Sequence, residues 1–317
     1  MQTLRRHKRH NLLHSVVLIT GMALIAAACA WTLWGLEGVI WALVGLTLGL
    51  VVSPSLSPEL VLRLYRARAL PRQQIPELHE ALHRLAERAG LPSVPGLYYV
   101  PSSMSNAFSV GQPGDSALAL TDGMLRSLTP REILAVLAHE ISHIANNDLW
   151  IMNLADSISR LTALLSYLGL FLLALNLPLA LSEAATVPWL LIGLLVLAPT
   201  LLTLMQLALS RTREYDADLD AAWLTGDPDA MASALVKLER SQGSLWSSFL
   251  QPGRGIPVPS LLRSHPPTQE RIRRLMDLRE AHSGQPGGRP APPQTVLPQH
   301  LPRISRAPRW RWPGLWY

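Results

Sequence analysis

Cysteine is almost missing from this chain: Cys29 is the single one in 317 residues. That excludes an internal disulfide and a zinc site built on thiolates. No glycine-rich, phosphate-cradling loop occurs, so nucleotide-driven work has no motif behind it. Aromatic residues make up 6% of the chain and charged residues 16%, against 49% hydrophobic. Acids are absent from both ends. Residues 1–10 hold four Lys/Arg and residues 283–317 hold five, with no Asp or Glu in either stretch. The 272 residues between carry 19 bases against 22 acids, so the net charge of +6 belongs to the flanks. Basic ends around a mildly acidic middle suit anionic lipid rather than a nucleic-acid groove.

Charge is also missing from four long runs. No charged residue lies between His14 and Glu37, and residues 12–34 are long enough to span a bilayer. Gly35-Leu36-Glu37-Gly38 turns the chain, and residues 39–52 form a second apolar run. After a basic tail at 1–10, residues 11–53 therefore read as a transmembrane hairpin. A cleaved signal peptide, the alternative, would have a shorter apolar core followed by a cleavage site. Cys29 follows Ala26-Ala27-Ala28, as in a lipoprotein signal, but a second apolar run succeeds it, so it reads as a buried membrane residue. Residues 161–181 and 187–209 repeat the pattern, with Glu183 in the connection, and make a second hairpin over 160–209. Arg63, Arg66, Arg68 and Arg72 follow the first hairpin and Arg211 and Arg213 the second, while neither turn holds Lys or Arg. That bias puts both termini and the segments outside the hairpins in the cytoplasm. Long buried core helices are the alternative to the second hairpin.

Two stretches read His-Glu-x-x-His. His79-Glu80-Ala81-Leu82-His83 sits in a 75–89 helix whose apolar residues form one stripe, with His79 and His83 on the polar remainder. Those histidines read as solvated surface side chains. His139-Glu140-Ile141-Ser142-His143 sits in a 130–150 helix that is apolar nearly all round. Four residues apart, His139 and His143 share a face and can grip one metal ion, with Glu140 in reach of a water on it. Two hydrogen-bonded core histidines are the bland alternative. Thr129-Pro130-Arg131-Glu132 is a capping box that starts this helix.

The surrounding residues read as an interrupted globular part: 54–150, then 210–282. Residues 97–100 and 117–121 look like strands, with a turn at Gln112-Pro113-Gly114-Asp115 between them. Glu214 and Asp218, four apart, share a helix face. Asp227-Pro228-Asp229 ends that helix or begins the next, residues 241–263 read as a loop, and 268–281 as a polar helix. Residues 283–317, rich in Pro, Gly and Arg, cannot bury a core and read as a disordered tail ending in interleaved Trp and Arg.

His139-Glu140-Ile141-Ser142-His143 with Asp148, then Arg213-Glu214-Tyr215-Asp216-Ala217-Asp218, then Ser264-His265-Pro266-Pro267 resemble the HtpX-type membrane zinc metalloproteases, relatives of the CAAX prenyl proteases. Asn106-Ala107-Phe108 and Thr121-Asp122-Gly123 match the same pattern, and the resemblance covers about residues 10–282. One departure is Asn147, where the family usually has Gly; Asn tolerates the backbone angles a Gly would take. The resemblance implies a predominantly α-helical integral membrane protein with two transmembrane hairpins and an α+β gluzincin-type domain carrying a small β-sheet. It implies one Zn²⁺ held by His139, His143 and Glu214, with Glu140 as general base. Asp218 would accept the outer N–H of a zinc histidine, and His265 would stabilise the oxyanion or occupy the open zinc position. Strand 117–121 would either add the substrate as a further strand or lie in the core. The implied function is endopeptidase cleavage of damaged membrane proteins in stress-linked quality control, in the plasma membrane if the source is bacterial. The partners are polypeptides and lipid, with no nucleic acid or nucleotide. A prenyl-protein protease and an inactive scaffold of the same fold are the alternatives. The four apolar runs argue against the first and an intact Glu140 against the second.

Overall fold

The computed structural model describes residues 2–52, 58–182, 188–249, 268–283, 310–311 and 315–316. The chain divides into two compact units, Met1–Pro54 with Trp150–Thr212, and Ser55–Leu149 with Arg213–Tyr317.

The first unit is helical. Helix α1 (Gln2–Val52) is interrupted at Trp34 (φ −138°, ψ 19°) and Gly35 (φ 59°, ψ −140°). A Cβ on Gly38 would lie 2.2 Å from the Ala30 carbonyl oxygen. Residues eight apart on an unbroken helix are ~12 Å apart, so the chain doubles back here. Gly35 supplies a backbone conformation open to little but glycine, and Gly38 the missing side chain. The turn expected at 35–38 is therefore present, inside one broken helix. Among the described residues, three helices are long and apolar enough to cross a membrane: Asn11–Leu50 within α1, then α6 (Asp148–Leu181) and α7 (Trp189–Thr225). Only 17–22% of their most apolar windows is buried, and Trp41, Leu181 and Leu190 are 71–88% exposed. Apolar surface on that scale belongs against lipid. Inside the unit, Gly169 lets α6 approach Leu195 of α7 closely, and Cys29 is buried against Leu195 and Ala198.

The second unit is an α+β domain. Its sheet has the order β1-β2-β4-β3, from β1 (Arg68–Ala69), β2 (Gly96–Val100), β3 (Ala107–Gln112) and β4 (Asp115–Thr121). Strands β2 and β4 pair in parallel; β3 and β4 form a hairpin with Ala107 opposite Leu120 and Gln112 opposite Asp115. Strand 117–121 is thus paired on both sides, which decides between its two readings: it is a core strand and does not receive a substrate. The edges belong to β3 and to the two-residue β1. Helix α3 (Pro76–Ala89) buries Leu78, Ala81, Leu82 and Leu85, and α5 (Pro130–Ala145) is buried on almost every side. Short helices α2 (Pro58–Leu64) and α4 (Asp122–Ser127) flank the sheet, and α8 (Pro228–Phe249) and α9 (Thr268–Ser283) complete the domain.

Three boundaries depart from expectation. The 130–150 helix stops at Ala145, because Asn147 takes a left-handed φ of 55° and Asp148 starts α6. Asn in this conformation supports the expectation that it can stand where Gly would. Helix α7 runs on without interruption past residue 209, and residues 241–249 are helical instead of looped. In the tail, Trp310–Arg311 (β5) and Leu315–Trp316 (β6) pair antiparallel; its other residues from 284 on lie outside the described ones.

Candidate metal centre

Helix α5 begins as its sequence dictates. The Thr129 side chain accepts from the Glu132 amide, and Glu132 accepts from the Thr129 amide at 2.6 Å. Glu132 also accepts from Ser233 (2.6 Å) and Lys237 (2.7 Å), which ties α5 to α8. Burial works against its charge, but these donors hold the carboxyl below its ordinary range. Farther along, Ser142 and Asn146 both donate to Asp220 of α7, at 2.8 and 3.0 Å. The helix is thereby pinned at both ends, and its middle carries His139, Glu140 and His143.

Nε2 of His139 and Nε2 of His143 lie 3.1 Å apart. Glu214 faces both, with Oε2 3.6 Å from His139 Nε2 and Oε1 3.7 Å from His143 Nε2. Bonds of about 2.0–2.1 Å at the tetrahedral angle put neighbouring ligand atoms about 3.3 Å apart. The three measured separations bracket that value. Two imidazoles and one carboxylate are a donor set suited to a divalent transition metal, and they leave one tetrahedral corner open. Among the described residues this is the one group of three such side chains with converging ligand atoms, all within 4.8 Å of one another.

Each histidine is backed by a carboxylate, and each carboxylate by an arginine. Nδ1 of His143 is 2.8 Å from Oδ2 of Asp148, whose Oδ1 receives Arg213 at 3.3 Å; Arg213 also reaches Asp216 at 3.2 Å. Nδ1 of His139 is 3.1 Å from Oδ1 of Asp218, at contact distance but off the line of a good hydrogen bond. Asp218 is gripped by the Arg271 fork, with two bonds of 2.6 Å. Burial penalises the Asp218 charge, but Arg271 outweighs it and holds the carboxyl below its ordinary range. In the metal-free protein burial also opposes charge on His143; Asp148, Glu214 and Glu140 overcome it and push its pKa up to about 9.

Glu140 is half-buried and accepts a hydrogen bond of 2.9 Å from Ser109 Oγ on the edge strand β3. The catalytic candidate and the sheet edge are thus in direct contact.

The second His-Glu-x-x-His has no such company. His79 Nε2 lies 2.7 Å from the Leu70 carbonyl, and His83 is exposed, 3.5 Å from Glu87. His79 is therefore a partly buried, bonded side chain, a correction to the solvated reading, and not part of the converging set. His139, Glu140, His143, Glu214 and Asp218 come together as expected; His265 lies outside the described residues. Sequence reading gave no role at the metal centre to Asp148, Arg213, Ser109 or Arg271. A signal for the arginines existed: Glu214, Asp216, Asp218 and Asp220 put four acids into seven residues of one helix, more than a buried site tolerates without cations.

Residues 72–279 match the family described as Peptidase family M48. The chain is 34% identical over 270 residues to a protease HtpX homolog of Pyrococcus abyssi, covering 82% of this chain and 93% of that protein. It is 37% identical over 238 residues to the homolog of Acaryochloris marina (71% and 79% covered), and 35% over 288 residues to that of Kineococcus radiotolerans (85% and 97%). The crystal structure of S. mikatae Ste24p aligns with 87% of this chain and 66% of that chain at 23% identity, with a TM-score of 0.47.

Proposed function

The chain belongs to peptidase family M48, and from that membership we propose that His139, His143 and Glu214 hold a zinc ion at which Glu140 drives peptide-bond hydrolysis. It is a membrane-bound metalloprotease, and its substrates are polypeptides. The single observation that carries the residue assignment is the convergence of one ligand atom each from His139, His143 and Glu214 to within 4.8 Å of one another, beside Glu140.

Zinc bound there would polarise the scissile carbonyl and bring the pKa of water near neutrality. The protein's own groups do the rest. Glu140 takes the proton of the attacking water and passes it to the leaving amine. Ser109 occupies one of its oxygens, which leaves the other to face the water. Asp148 and Asp218 keep the two imidazoles oriented, with the ring nitrogen nearer the metal free of a proton. An extended substrate pairs with the outer edge of β3, next to Ser109. Backbone pairing of that kind discriminates little between sequences, as a protease for varied damaged proteins requires. His265 acts on the oxyanion. The termini and the second unit face the cytoplasm, in keeping with arginines outside both expected hairpins and none in their turns. The biological role that fits is quality control of membrane proteins.

The test is metal analysis and casein cleavage by the purified full-length protein, with and without Glu140→Gln. The expected result is one zinc per chain in both and cleavage by the unaltered protein alone. Cleavage that survives Glu140→Gln would reject the assigned base.

A further inference from the structure

We propose that Arg271 is a positioning residue of the metal centre: it occupies one oxygen of Glu214 and clamps Asp218 behind His139, so that α9 completes a site whose ligands lie on α5 and α7. The inference rests on reading His139, His143 and Glu214 as the metal ligands.

Five carboxylates crowd this site: Glu140, Asp148, Glu214, Asp216 and Asp218. Arg213 is engaged by Asp148 and Asp216. Arg271, only 4% exposed, faces the other buried pair. Its Nε and Nη2 each bond an oxygen of Asp218 at 2.6 Å, and its Nη1 lies 3.1 Å from Oε2 of Glu214. One planar group thus touches a metal ligand and the carboxylate behind a second ligand. Engaging Oε2 leaves Oε1, the oxygen nearer His143, for the metal. It also restrains Glu214 from swinging when no metal is bound. A lysine has one point of charge and cannot span both carboxylates, so the fork itself matters.

The helix that delivers Arg271 is seated by other contacts. Tyr215 hydrogen-bonds Glu270, Arg274 stacks 3.7 Å over the Tyr215 ring, and Leu275 is 1% exposed in the core. With those in place, α9 stays docked when residue 271 is changed, and a loss of metal binding can be separated from a loss of fold.

The experiment compares full-length wild type, Arg271→Gln, Arg271→Lys and the exposed-site control Arg273→Gln. Each is titrated with Co²⁺ against a chromophoric chelator and examined by visible absorption at saturation and by circular dichroism. Arg271→Gln should keep its helical signal, bind Co²⁺ about 10–100-fold more weakly, and show an altered ligand-field spectrum even when saturated. Arg271→Lys should recover part of the affinity but not the wild-type spectrum. Arg273→Gln should match wild type in all three. Wild-type spectra in both Arg271 variants, with affinity within about threefold, overturn the proposal. So does a lost helical signal with lysine no better than glutamine, because the role is then structural. Failure of wild type itself to bind Co²⁺ is a different result and removes the metal-site reading.

Discussion

Metal uptake should compete with a proton, and the competition can be sized. Asp148 sits 2.8 Å from His143, and with Glu214 and Glu140 it pushes the His143 pKa up to about 9 against the opposing effect of burial. A raised pKa means that the metal-free protein carries a proton on this ring at pH 7, with roughly 1% neutral. Only the neutral ring is a ligand. Apparent affinity at pH 7 should therefore lie about 100-fold below its value at high pH, a cost of about 2.7 kcal/mol. It should rise about tenfold per pH unit from 7 to 9 and then level off. Near pH 7, about one proton should leave per metal bound. Calorimetry in buffers of different ionisation enthalpy counts the protons, and chelator competition from pH 6.5 to 9.5 traces the affinity. Asp148→Asn removes the main support for the charge and should move the break to lower pH. A flat affinity between pH 7 and 9, or no proton release at pH 7, refutes the reasoning. Linkage to stability has the matching sign: in metal-free protein the His143 contribution is fully present below pH 6.5 and is lost as pH rises through about 9.

Four further outcomes are expected. His79→Ala with His83→Ala should leave bound zinc unchanged, whereas His143→Ala should lose most of it; zinc loss in the first variant would reverse the choice between the two motifs. Glu214→Gln should lower zinc affinity and regain part of its activity with added Zn²⁺. Glu140→Gln should lose about 10²–10⁴ in rate with no such rescue, and a zinc titration of both separates ligand from base. Ser109→Ala should lower kcat about tenfold, the worth of one hydrogen bond to a charged group, with zinc content and KM kept; an unchanged kcat leaves Ser109 as packing. Reporter fusions after residues 72 and 282 should report cytoplasm and fusions at 36 and 183 the opposite side; a cytoplasmic signal at 183 would mean that the second apolar pair never crosses.

What the sequence made legible was whatever depends on short spacing. The capping box at Thr129, the shared face of His139 and His143, the turn at Gly35–Gly38 and the hairpin around Pro113-Gly114 are set by neighbours within a few residues, and each is present. What stayed hidden depends on pairing across the chain. Strand 117–121 reads the same whether it is an edge or a centre, and only β2 joining it in parallel makes it a centre. Arg271 stands among other arginines in a polar helix, and nothing local distinguishes the buried one from its exposed neighbours Arg273 and Arg274. The end of α5 was missed for a local reason: apolar periodicity continues through Leu149 and Trp150, while one left-handed Asn between them and Ala145 redirects the chain.

The bond between Asp148 and Arg213 also counts membrane crossings. These side chains meet at 3.3 Å, yet 64 residues separate them along the chain, among them two of the helices able to span a bilayer. Two points that touch lie on one side of any membrane the intervening segment enters. That segment must come back to the face it left, and the number of times it crosses is even, whatever its tilt and whichever face that is. A variant chain in which one of the two apolar stretches is deleted would arrive with the wrong parity. Asp148 would then stand on one side of the bilayer and Glu214 on the other, and the metal centre could not assemble at all.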